Sequence, residues 1–66
     1  MNAQKKAIKI ALATRDKSQR WLADKLGMSP QNLNSRLRRG TFKDEDMMQI
    51  ADILNMQWTA EFREKE

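Results

Sequence analysis

The chain has 66 residues and carries 13 Lys/Arg against 9 Asp/Glu, a formal net charge of +4. This length, near the lower limit for an unassisted hydrophobic core, argues against more than one domain. Without cysteine or histidine the chain can form no disulfide, thiol nucleophile or Cys/His zinc site, and it lacks the commonest general base, so it is expected not to be an enzyme.

Turn signals at Lys17-Ser18, Gly27-Met28-Ser29-Pro30, Gly40-Thr41 and Asn55 divide the chain into four helix-length pieces and a tail. The first piece, about Ala3 to Asp16, places Ile8, Ala11, Leu12 and Arg15 on one helical face, with Ile10 on the far side. The second starts at the N-cap residue Ser18 and ends at Gly27, which suits a left-handed backbone; Leu22, Ala23 and Leu26 form its buried stripe. In the third, Ser29 caps a helix from Pro30 to about Arg39, and Leu33 and Leu37 are its apolar pair. The fourth, about Asp44 to Leu54, buries Met47, Ile50, Ala51 and Leu54, with Asp44, Glu45 and Asp46 at the positive end of its dipole and Asn55 closing it. Met28, Met47, Met48 and Met56 are expected to fill the core.

In the tail, Met56, Trp58, Ala60 and Phe62 alternate with polar residues, which predicts a strand at about 56–63. A lone strand has an unpaired edge, so it either pairs with its copy in a homodimer, through Trp58, Ala60 and Phe62, or folds back over the core. Trp21 and Trp58 are expected to serve packing rather than base stacking, since no aromatic platform accompanies them.

The second and third pieces together carry the functional signal. Ala23 permits close helix crossing, Gly27 turns the chain, and Met28 and Leu33 dock the following helix, which is the physical requirement of a helix-turn-helix over 18–39. At about 100° per residue, Leu33 and Leu37 define one side of the helix 30–39, and Gln31, Ser35, Arg38 and Arg39 fall opposite, with Asn32 at the flank. Glutamine and asparagine can pair bidentately with adenine, arginine with guanine, and serine with either. Lys17, Arg20, Lys25, Arg36, Arg38 and Arg39 are expected mostly to meet phosphates.

Ser18-Gln19, Leu22-Ala23, Leu26-Gly27-Met28-Ser29, Gln31-Asn32-Leu33, Leu37 and Ile50-Ala51-Asp52 resemble the phage repressor and Cro family. The resemblance implies a single all-α domain over 1–66, with four to five repressor-like helices and a short C-terminal strand. It implies that Gln19 contacts a phosphate, that Gln31, Asn32 and Ser35 face the major groove, and that the protein dimerises. The sequence departs from the family at Pro30, which offers a base no hydrogen bond, at Trp21, and at Lys43, where a capping Ser or Thr is usual.

Charge is unevenly placed. Met1 to Gly40 holds ten Lys/Arg and two acids, a balance of +8, while Thr41 to Glu66 holds three against seven, or −4. A polyanionic partner met by one face fits that division. The expected function is sequence-specific binding of double-stranded DNA by a transcriptional regulator, with no metal, cofactor or small-molecule ligand. No apolar run approaches the roughly 20 residues of a membrane span, and the opening Met1-Asn2-Ala3-Gln4-Lys5-Lys6 lacks a signal peptide's apolar core. A cytoplasmic location with no membrane partner is therefore expected. The alternative is an antitoxin-like or adaptor module that uses Trp58, Phe62 and Ile10 to bind a protein; its affinity for random duplex would be insensitive to salt, whereas a DNA reader's would fall steeply.

Overall fold

The structure, a computed structural model, describes residues 3–65; Met1, Asn2 and Glu66 of the expected domain lie outside the described residues. Four helices, α1 (Ala3–Thr14), α2 (Gln19–Leu26), α3 (Pro30–Arg39) and α4 (Asp44–Ile53), precede two short strands, β1 (Met56–Trp58) and β2 (Phe62–Glu64). The fold is thus mostly α, with a two-stranded antiparallel sheet in place of the lone strand. No helix among the described residues is long and apolar enough to cross a membrane.

Each helix ends where a residue takes up a left-handed backbone. Gly27 and Gly40 do so after α2 and α3, and Asp16 (φ 57°) and Asn55 (φ 56°) after α1 and α4. At Asp16 the backbone N–H donates to Ala13 O (3.0 Å) and that of Lys17 to Leu12 O (2.9 Å), which satisfies carbonyls the last turn leaves open. α1 therefore stops two residues before the expected boundary, because Asp16 takes the role usually given to glycine. Ser18 Oγ accepts from Trp21 N–H (3.0 Å) and Ser29 Oγ from Asn32 N–H (3.1 Å), so both expected caps form. α4 uses a different device. The Asp46 carboxylate reaches back to accept Lys43 N–H (2.9 Å), while lysine, a donor only, returns no bond.

The core consists of Ile8, Ala11 and Leu12 from α1, Leu22 and Ala23 from α2, Leu33 and Leu37 from α3, and Met47, Ile50 and Ala51 from α4. Leu54, Met56 and Phe42 complete it. Phe42 lies in the α3–α4 connection, outside any helical period, and the sequence pattern does not reveal it. Met48 is a correction: it is 57 % exposed, because it sits about 100° around the helix from Met47, off the stripe of Met47, Ile50, Ala51 and Leu54.

Two side chains bind distant backbone into the fold. The Gln4 amide donates from Nε2 to Phe42 O (2.6 Å) and accepts Phe42 N–H at Oε1 (3.1 Å), joining the start of α1 to the α3–α4 connection. Arg15 continues the apolar face of α1 but meets the end of α4: Nε donates to Leu54 O (2.7 Å) and Nη2 to Asn55 O (3.1 Å). The same guanidinium donates to both carboxylate oxygens of Glu64 on β2, at 2.8 and 3.1 Å. The hydrogen bond from Arg15, reinforced by its charge, holds the Glu64 carboxyl below its usual pKa, and Arg15 is held higher in return.

The tail departs most from expectation. It turns back at Thr59-Ala60-Glu61 and pairs with itself, Met56 opposite Glu64, Gln57 opposite Arg63 and Trp58 opposite Phe62. The Trp58 and Phe62 rings tilt against each other at 4.9 Å between centroids, and Trp58 Nε1 donates to Asp44 Oδ1 (3.4 Å). Trp58 and Phe62, expected to meet a second copy, meet one another, and Ala60 occupies the loop with φ 81°.

Two predictions test these features. Ala60→Gly should raise stability by about 1 kcal/mol in urea unfolding, since glycine accepts a left-handed backbone that Cβ resists; a loss would show that the tail does not turn there. A carboxylate whose pKa is lowered on folding stabilises above its unfolded value, about 4.3 for Glu, and that stabilisation disappears as pH falls through the lowered folded value. Glu64→Gln should therefore have a lower urea midpoint than the parent at pH 7, and the two midpoints should converge below about pH 4. A constant difference down to that pH would contradict the ion pair.

Candidate nucleic-acid interface

The orientation of α3 follows from its two leucines. Leu33 and Leu37 are fully buried in the core cluster beside Leu22 and Ala23 of α2 and Ile8 of α1. Burying a leucine contributes about 1.5–3 kcal/mol, so rotating α3 about its axis would cost several kcal/mol. With that side fixed, Gln31 and Asn32 are exposed and Ser35 is half-buried at the edge of the outward surface. Arg38 and Arg39 lie on the same outward surface nearer the end of the helix, both exposed.

α2 is held against α3 by a three-residue turn, Gly27 to Ser29. Gly27 has φ 71°, and no atom outside it and its two chain neighbours lies within 4 Å of the place where a Cβ would stand, so its requirement is one of backbone conformation and not of space. Met28, expected to help dock α3, is partly buried against the core and donates its N–H to Ala23 O (3.0 Å). Ala23 is fully buried, consistent with a close crossing of the two helices.

The cations expected at phosphates divide into three groups. Lys17, Arg20 and Lys25 are exposed around α2, where Gln19, half-buried, is the first helical residue. Lys17 Nζ lies 5.0 Å and Lys25 Nζ 5.7 Å from the Trp21 ring centroid, so the ring draws two ammonium groups to one place by its negative face. Trp21 itself is partly buried against the core, as expected of a packing residue. Arg36 is employed internally. Its Nη2 lies 3.4 Å from Asp46 Oδ2 and its guanidinium 4.9 Å from the Phe42 ring, a position on the flank of α3 that binds it to α4. Arg38 and Arg39 form one wall of an open groove whose other wall is α1, with Lys5, Lys6, Lys9 and Ile10. The α1 lysines are additional to the cations singled out from the sequence.

Helix ends reinforce this asymmetry. α2 and α3 have no acidic residue in their first turns, whereas α4 has Asp44, Glu45 and Asp46. Helix N-termini carry a partial positive charge, left unneutralised at α2 and α3 and offset at α4. Among the described residues no cluster of three or more acidic side chains could hold a metal ion. Comparison with family models, with curated proteins and with solved structures returns no match in any of the three.

Proposed function

We propose that this protein is a sequence-specific duplex DNA-binding protein with a repressor-like helix-turn-helix formed by α2 and α3, and that it acts as a transcriptional regulator of phage or bacterial type. The observation that carries the proposal is α3 itself, anchored by Leu33 and Leu37, with Gln31, Asn32 and Ser35 at its outward surface. A helix of ten residues is about 15 Å long, and the major groove, about 12 Å wide, admits one. Gln31 and Asn32 carry the amide groups that pair with adenine, and they carry more of the readout because Pro30 offers a base no hydrogen bond. Lys17, Arg20, Lys25 and Gln19, with the unneutralised start of α2, supply contacts to phosphate on one side. No residue acts as a catalyst in this reading, and no metal or cofactor takes part.

A single recognition helix reads only a few base pairs, so the proposal includes a homodimer on two half-sites separated by about one helical turn, ~34–36 Å. The self-paired tail changes how the copies would meet. The hairpin leaves an outer edge of β2, at Phe62–Glu64, as the place where a second copy could extend the sheet, instead of a lone strand through Trp58, Ala60 and Phe62. An adaptor reading has Ile10 and Met48 in its favour, 58 % and 57 % exposed, but these two apolar residues do not account for the outward amides of α3.

Selection of bound sites from a random duplex pool is the decisive experiment. A preferred sequence should emerge, and for a dimer it should be a palindrome. Gln31→Ala should then weaken binding to that site by about 1–3 kcal/mol and leave random duplex nearly unchanged. Equal loss on both would remove Gln31 from the readout, and the absence of any enriched sequence would refute specific DNA binding.

A further inference from the structure

The groove between α1 and the end of α3 has a composition that solubility alone does not require. Lys5, Lys6, Lys9, Arg38 and Arg39 line it, no acidic residue does, and Ile10 lies in it 58 % exposed. Ala3, Lys6, Ile10 and Ala13 are spaced at three, four and three residues, so they form one stripe along α1 that faces the α3 wall. Like charges gathered around one concavity repel each other and raise the free energy of the unliganded fold, an effect that an anion in the groove reverses.

The position of the groove selects the anion. Arg38 stands seven residues beyond Gln31, and Arg39 four beyond Ser35, on the same outward surface of α3. At 1.5 Å per residue this is about 6–10 Å along the helix axis. In a major groove about 12 Å wide, a helix whose first turns reach base edges brings its far end to the phosphate wall of that groove.

We propose that the α1–α3 groove seats the sugar-phosphate backbone of one DNA strand, with Lys6 and Lys9 of α1 as phosphate contacts alongside Arg39. The apolar stripe at Ile10 and Ala13 lies against the carbon faces of the sugars. One copy then meets both strands that border a single major groove: one through α2 with Lys17, Arg20 and Lys25, the other through α1. This inference rests on the reading of α3 as the major-groove element.

The test uses the full chain and a double variant, Lys6→Gln with Lys9→Gln, both at exposed positions. Lys65→Gln, exposed and outside the groove, serves as control. Binding to a selected duplex and to a scrambled one is measured by fluorescence anisotropy between about 50 and 200 mM salt. Each lost phosphate contact removes about 0.9 from the slope of log K against log salt. The double variant should therefore lose between about 1 and 2 from the slope on both duplexes, with the ratio between them preserved and the control unchanged. A double variant with the parental slope overturns the groove proposal and leaves base reading by α3 intact. A parent that binds neither duplex at the lowest salt refutes DNA binding altogether, and the groove with it. A decaglutamate peptide is the second probe: if the double variant loses that peptide while keeping its slope on DNA, the occupant is an acidic protein segment and the DNA assignment is wrong.

Discussion

Full burial of Leu33 and Leu37 is the constraint on which the outward chemistry of this molecule depends. Two side chains four residues apart fix both the rotation of α3 and its depth, and the core offers them Leu22, Ala23 and Ile8 to pack against. Truncating such a leucine to alanine typically costs 2–5 kcal/mol, a large part of the total in a domain whose whole stability is of the order of 5–15 kcal/mol. The polar residues of α3 are therefore outward by consequence. No hydrogen bond of the protein needs to hold Gln31 away from the core, because the opposite side of its helix is already committed.

A core assembled from four short helices needs connections that apolar contact does not supply. Gln4 and Arg15 provide them at opposite ends of α1, each by bonding backbone groups about 40 residues away. Both exploit the same weakness of helical domains, the peptide groups left without partners at helix ends and in connections. Arg15 also shows why a cation can continue an apolar stripe: its position faces the end of α4, where unpaired carbonyls and the negative end of the helix dipole favour a guanidinium. No buried side-chain polar atom among the described residues is left without a partner, so these connections add no unsatisfied groups of their own.

The helices were legible in the sequence because their signals are local. Ser18, Ser29, Gly27 and Asn55 mark ends by their own chemistry, and the spacing of Leu33 and Leu37 gives the buried side of α3 directly. The tail was not legible for an equally local reason. Its loop, Thr59-Ala60-Glu61, contains none of the residues that ordinarily announce a turn, and an alanine adopts the left-handed conformation instead. Alternation from Met56 to Phe62 therefore reads as one strand, although residues on either side of the loop belong to two. Phe42 and Arg36 illustrate a second limit. They meet across the connection between α3 and α4, and a contact of that kind belongs to the tertiary fold and not to any period along the chain. The lysines of α1 were hidden for a third reason: they face α3 only after the fold has brought the two helices side by side.

The distribution of charge at helix ends sets α4 apart from the other three helices. If positive charge served only to keep the chain soluble, acids would be expected in the first turns of all helices alike, since each stabilises its own dipole. They are confined to α4, where Asp46 caps the helix and holds Arg36, and Asp44 accepts from Trp58. At α2 and α3 serine caps do the capping without adding negative charge, which leaves the first turns of both helices free of acids. A serine in place of aspartate gives similar cap strength, so stability does not distinguish the two choices. What distinguishes them is the sign of the potential in front of α2 and α3, which under the proposed function favours a phosphate backbone.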